Sequence, residues 1–202
     1  MRYLRLKPRF IAPAAIKIVA GALGSGQVLV LPTDTIYGLS CRADDARAVR
    51  RIQRLKGRSG KKPFIILVSS LAMLRKYAVI SEQQSKQLAK IWRSGSRPTT
   101  VILAARQPTA LALDLVDGSL AARLPKSEFL IKIIKTIKAP IVSTSLNRSG
   151  QTNIRDPRQL AAYLPIWQQR LDLVVDGGIC RRRRASRIID LRDSRAPRLL
   201  RK

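Results

Sequence analysis

Short apolar runs alternate with segments of helical period along this chain from one end to the other, and few architectures satisfy that alternation. Ile11, Ala14, Ala15, Ile18, Val19 and Ala22 recur at helical spacing ahead of Gly24-Ser25-Gly26, which predicts a first helix and its end. Val28 to Leu31 reads as a buried strand running into a polar turn. Asp45 to Leu55 predicts a helix with Val49, Ile52 and Leu55 on one face and Gly57 just past its end. Further strands are expected at Phe64 to Val68, Thr100 to Ala104, Leu120 to Leu124, Pro140 to Ser143, Leu171 to Val175 and Ile188 to Leu191. Helices are expected at Ser81 to Trp92, Glu128 to Lys138 and Pro157 to Leu164. Interleaving of this kind predicts a layered α/β fold. No repeat or linker-like stretch divides the 202 residues, so 1–202 reads as a single domain. Aromatic residues make up 4% of the chain against 46% apolar residues, so the core must rest on Ile, Leu, Val and Ala.

The titratable residues narrow the chemistry. The chain has no histidine and two cysteines, Cys41 and Cys180, without CxxC spacing. A zinc site of Cys and His, and a Ser-His or Cys-His catalytic pair, are therefore excluded within it. Either cysteine reads as a small apolar residue rather than a nucleophile. Forty Lys and Arg against 12 Asp and Glu leave a net charge of +28, a field that attracts nucleotides, RNA or anionic lipid. The basic start has Lys17 inside its apolar run, and no stretch reaches the ~20 apolar residues of a membrane span. The expectation is a mature cytoplasmic sequence that does not engage membranes.

Three polar segments follow predicted elements, where α/β proteins collect their sites. The first is Pro32 to Gly38, PTDTIYG, after an apolar strand; Thr and Asp also favour a simple turn there. The second, Lys56-Gly57-Arg58-Ser59-Gly60-Lys61-Lys62, puts four cations in seven positions between a helix and a strand. The dipole of the helix accounts for Lys56 but not for Lys61 or Lys62, which lie beyond it. Guanidinium forks and compact ammonium groups on a glycine-bearing loop suit a triphosphate. The spacing is not that of a P-loop, since position 55 is Leu. The third segment, Ser143 to Gly150 (STSLNRSG), carries hydrogen-bonding side chains at six of eight positions, a loop for capping a helix or for binding a ligand.

PTDTIYG, KGR, AARLP, STSLNRSG and SRIID, in this order and spacing, resemble the YrdC family of threonylcarbamoyl-AMP synthases over nearly the whole chain. The resemblance implies a single α/β domain whose twisted, mainly mixed sheet is flanked by helices around an open basic cavity. It implies an enzyme, a nucleotidyltransferase, that joins L-threonine, bicarbonate and ATP, releases pyrophosphate and uses Mg2+ with the triphosphate. Its product would serve threonylcarbamoyladenosine modification of tRNA, with tRNA or tRNA-modification machinery as partner. By matching position, Lys56, Arg58, Ser145 and Asn147 form the family's KxR/SxN catalytic signature. Arg58, Lys62, Ser119, Ser145, Asn153 and Arg201 would contact ATP. Thr35, Arg123, Ser143 and Ser186 would hold threonine, with Arg123 a partner for its carboxylate. No dedicated protein metal site is implied.

The chain departs from the family pattern at Ser59, at Arg97 within a lengthened Trp92 to Thr100 segment, at Leu146 and at Arg187. Two other readings stand beside the synthase. One is an RNA-binding or RNA-maturation paralogue of the same fold without synthase activity, and the other is a ligand-binding or hydrolytic paralogue.

Overall fold

The computed structural model describes residues 1–6, 11–57, 63–93, 96–160, 167, 170–180 and 184–202. Its ten described strands form one sheet. In chain order they are β1 (Arg2–Arg5), β2 (Leu29–Leu31), β3 (Gly38–Arg42), β4 (Ile65–Leu67), β5 (Thr99–Ala104), β6 (Ser119–Arg123), β7 (Ile141–Ser145), β8 (Leu173–Asp176), β9 (Arg187–Asp190) and β10 (Arg198–Arg201). The helices are α1 (Pro13–Gly24), α2 (Ala46–Lys56), α3 (Leu71–Leu74), α4 (Glu82–Ile91) and α5 (Glu128–Ile137). The spatial order of strands is β1-β8-β2-β3-β7-β4-β6-β5-β9-β10. Parallel pairs such as β4 with β6 sit beside antiparallel ones such as β3 with β7, so the sheet is mixed, as expected.

Local chemistry sets the helix ends. Asp45 caps α2 by accepting hydrogen bonds from the backbone N–H groups of Arg47 and Ala48, and Gly57 closes the helix at φ 57°. Ser81 and Gln84 form a reciprocal capping box at the start of α4, and Ser127 caps α5. Each predicted strand and helix up to Ser143 has its counterpart, with ends shifted by a residue or two. Of the helix expected at Pro157 to Leu164, a short 3-10 turn at Pro157–Gln159 is described, and 161–164 lies outside the described residues. Strands β1, β3 and β10 and helix α3 were not expected. β3 begins on the glycine of a motif that reads as turn, while β1 and β10 are short edge strands with charged residues at both ends.

Side-chain alternation divides the core. Val30, Leu39, Cys41, Ile66, Leu120, Ala122 and Val142 enter one cluster with Val49, Ile52 and Leu55 of α2. Leu29, Leu31, Leu67, Ile141, Leu173 and Val175 enter a second, on the other face, with α1 and α5. Both clusters are predominantly aliphatic, as the scarcity of aromatics requires. The second cluster covers only part of its sheet face, and the uncovered part becomes the site.

Ile133 on α5 is fully buried in that second cluster. Ile133→Ala is expected to destabilise the protein by roughly 2–5 kcal/mol through lost burial and a residual cavity, measured by urea unfolding.

Candidate active site

Along β7 the alternation runs Ile141 to one core, Val142 to the other, and then Ser143 back to the first face, beyond the reach of the apolar cluster. Across the sheet Ser143 pairs with Ile65 of β4, and Ile65 pairs with Ala121 of β6. Ser143 and Ile65 line a cavity of about 180 Å³ whose polar lining also includes Thr33, Thr35, Arg123, Ser145, Ser186 and Arg201. Gly38 is required by proximity: a Cβ there would lie 2.6 Å from Ser143 Oγ.

The turn at the cavity wall is internally wired. Thr33 Oγ1 donates to Ile36 O at 2.6 Å and accepts from Thr35 N at 3.0 Å. With the Thr33 proton thus committed, Thr35 Oγ1 donates to Thr33 Oγ1 at 2.9 Å, leaving its lone pairs for Arg123 Nη1 at 3.3 Å. The same Arg123 nitrogen donates to Asp34 Oδ1 at 2.9 Å, an ion pair whose side chains are 5% and 7% exposed. Asp34 Oδ2 accepts from Lys126 N at 3.0 Å, so one carboxylate joins the turn, β6 and the loop after it. Burial pushes the Arg123 guanidinium below its ordinary value, and Asp34 opposes that, so it stays a cation at neutral pH.

Arg201 reaches the opposite wall from β10. Its guanidinium donates to Ser186 O at 2.9 and 2.7 Å, and Ser186 Oγ shares a 2.8 Å hydrogen bond with the buried Thr100. Desolvation lowers the Arg201 pKa as well. Thr35, Arg123, Ser143 and Ser186, expected around threonine, therefore lie around one cavity, and Arg201, expected on ATP, lines it with them.

The KxR/SxN residues have a different geometry. Lys56, 5% exposed at the end of α2, donates from Nζ to Ser145 O at 2.8 Å, Asn147 O at 2.6 Å and Asn147 Oδ1 at 2.6 Å, with Ser145 Oγ at 3.3 Å. Ser145 Oγ also donates to Asn147 Oδ1 at 2.6 Å, and Asn147 Nδ2 donates to Gln151 O. Lys56 thus braces the loop from below, while Ser145 alone of these three lines the cavity. Ser119 starts β6, donates to Val116 O at 2.6 Å and is not part of the cavity wall. Asn153 is half-buried next to Ile154, whose N–H donates to Leu146 O at 2.9 Å beside the braced loop. Arg58 and Lys62 lie outside the described residues.

A second hollow of about 410 Å³ lies across the Thr33 to Tyr37 turn, bordered by Asp34, Lys126 and Gly177 to Cys180. Tyr37 separates the two. Its hydroxyl donates to Gly178 O at 2.7 Å and accepts from Gly177 N at 2.9 Å, and burial pushes its pKa up to about 12. Cys41 is buried and its thiol pushed up, in keeping with an apolar role. Cys180 is only half-buried, and its thiol donates to Thr35 O at 3.1 Å. Sequence reasoning did not single out Asp34, Thr33, Thr100 or Lys126. Asp34 carried the one available signal, a carboxylate inside the PTDTIYG segment.

The sheet thus carries a cavity lined by hydroxyl and guanidinium groups. The chain belongs to the Sua5/YciO/YrdC family, whose model, described as telomere recombination, matches residues 21–202. A threonylcarbamoyl-AMP synthase of Pyrococcus abyssi is 31% identical over 87% of this chain and 50% of its own length. A threonylcarbamoyl-AMP synthase of Vibrio vulnificus is 30% identical over 91% of this chain and 95% of its own. The structure of P. abyssi Sua5 complexed with L-threonine is similar with a TM-score of 0.81 and 30% identity, over 98% of this chain and 56% of that one. The chain thus spans about half of the archaeal relative and nearly all of the bacterial one.

Lys56→Met keeps the stem and removes the ammonium, leaving the buried carbonyls of Ser145 and Asn147 short of a donor. We expect a loss of about 1–3 kcal/mol in urea unfolding for each acceptor left unsatisfied, together with impaired ligand binding.

Proposed function

We propose that this protein synthesises L-threonylcarbamoyladenylate from L-threonine, bicarbonate and ATP, as a nucleotidyltransferase acting in the cytoplasm. The observation that carries the reading is the convergence of Thr35, Arg123, Ser143 and Ser186, from separate stretches of chain, on one cavity. An amino acid needs a cation for its carboxylate and acceptors for its amine and hydroxyl. Arg123 supplies the first, and the hydroxyls and carbonyls of the turn and of β7 supply the others. The names of the Pyrococcus and Vibrio relatives support the same reaction. That all ten described strands belong to one sheet supports treating the chain as a single domain. No described helix is long and apolar enough to cross a membrane.

In the reaction the threonine nitrogen bonds to the bicarbonate carbon with loss of water. A carbamate oxygen then bonds to the α-phosphorus as pyrophosphate leaves. The protein's part is to position the reactants and to face the developing negative charge with cations. Arg201 lines the same cavity as Arg123 and is proposed to meet an anionic group there. Ser145 presents the end of the braced loop to it, and Arg58 and Lys62 are the further cations proposed for the triphosphate. Mg2+ would enter with ATP. The described residues contain no group of three or more His, Cys, Asp or Glu able to hold it, so its ligands would be phosphate oxygens and water. The tRNA modification machinery is the proposed consumer of the product.

Pyrophosphate release from ATP is expected only when threonine and bicarbonate are both present. Equal release without threonine, or none under any condition, would overturn the proposal. Arg123→Ala should raise the threonine requirement at least about tenfold, since a charged hydrogen bond contributes about 1.5–3 kcal/mol, while ATP affinity changes little. Isothermal titration with each ligand separately measures this.

A further inference from the structure

The exposed face of α2 consists of Ala46, Arg47, Arg50 and Arg54, with Gly57 past its end. Positions 47, 50 and 54 share one side of a helix, and the helical rise spreads them over about 10 Å. None of these three arginines makes an ion pair or side-chain hydrogen bond among the described residues. The helix itself contains no acidic residue. Acids nearby are engaged elsewhere: Asp44 by Arg42 at 2.9 and 2.7 Å, Asp45 as the helix cap, and Asp172 by Arg51 at 2.9 Å. The row continues past the helix, where Ser149 N donates to Lys56 O at 3.3 Å and brings the exposed Arg148 alongside.

The other surface helices serve as an internal control. α4 carries a Glu82–Lys86 pair at 3.0 Å and α5 a Glu128–Lys132 pair at 2.6 Å, the usual neutralised pattern, and their cations are lysines. On α2 every cation of the exposed face is arginine, the planar fork suited to phosphate oxygens. Among the described residues the exposed large apolar side chains, Met1, Tyr3, Ile18, Val79, Ile179, Leu199 and Leu200, all lie elsewhere. Interfaces between proteins centre on aromatic and apolar anchors as well as on arginine, and an amphipathic membrane helix presents an apolar stripe. This face lacks both the aromatic or apolar anchors and the stripe, and its row of guanidinium forks is complementary to a chain of phosphates.

We propose that the Arg47–Arg50–Arg54 ridge of α2 is a docking surface for the phosphate backbone of RNA. The ridge lies on the helix that packs against the other face of the sheet from α1 and α5, and none of its three arginines lines the cavity. The proposal rests on the tRNA-modification reading only for its choice of probe, and the assay keeps the two separable.

The experiment compares the unaltered protein with Arg47→Gln/Arg50→Gln/Arg54→Gln and with a control of equal charge change, Lys76→Gln/Lys90→Gln/Lys135→Gln. Binding to unfractionated tRNA is followed by fluorescence anisotropy over a salt series, and pyrophosphate release is measured on the same samples. The ridge variant should bind more weakly, and its log–log salt slope should fall by about 0.7–0.9 per lost phosphate contact, roughly 2 to 3 in all. The control should keep the slope, and all three proteins should release pyrophosphate alike. An arginine-to-lysine triple at the same positions should retain the slope but lose affinity, which tests the ridge even if the glutamine triple fails to fold. Equal losses in ridge and control variants, or an unchanged slope in the ridge variant, would overturn the proposal. So would ridge-dependent binding to phosphatidylserine vesicles without ridge-dependent binding to tRNA.

Discussion

Val142 and Ser143 are adjacent on β7 and point to opposite faces of the sheet, and the site follows from that single alternation. Val142 is packed into the core under α2, and so are its lateral neighbours Leu39, Cys41, Ile66 and Ala122. The opposite face is apolar where α1 and α5 lie over Leu29, Leu31, Leu67, Ile141, Leu173 and Val175. Beyond them Ser143 of β7 and Arg123 of β6 line the cavity. A buried sheet interior and a polar-lined cavity are thus held by the same backbone hydrogen bonds. The cavity floor inherits the rigidity of the core beneath it.

Two cations fix the walls, and they do so differently. Arg123 is nearly buried and offset by Asp34, which itself anchors the loop at Lys126. Lys56 gives its protons to Ser145 and Asn147 and so converts a hydroxyl-rich loop into a fixed shelf. Each loses solvation on burial and is stable only because several acceptors converge on it. The cost of these charges is met by order in the turn at Thr33 to Tyr37 and the loop at Ser145 to Asn147, the two segments that face a ligand.

Much of this was legible in the residues. Apolar periodicity located α1, α2, α4, α5 and most of the strands, and the absence of histidine removed whole classes of catalysis. The motif positions pointed to Thr35, Arg123, Ser143 and Ser186 as a group, and the structure places them around one cavity. β3 was not legible, since its buried Ser40 and its opening Gly38 read as turn chemistry rather than as strand. Edge strands β1 and β10 carry arginines at both ends and bury little, so no apolar alternation marked them.

By itself the sequence determined the α/β class, the aliphatic character of the core, the sign of the field and the set of side chains available for chemistry. Those follow from local periodicity and composition, which need no knowledge of distant neighbours. Only the tertiary structure decided that Arg123 answers to Asp34, that Lys56 braces the loop rather than lining the cavity, and that Arg201 meets Ser186. Each of those pairings joins residues far apart in the chain or strands that are not neighbours in sequence. Their geometry is set by sheet register and strand order, which short-range patterns do not encode.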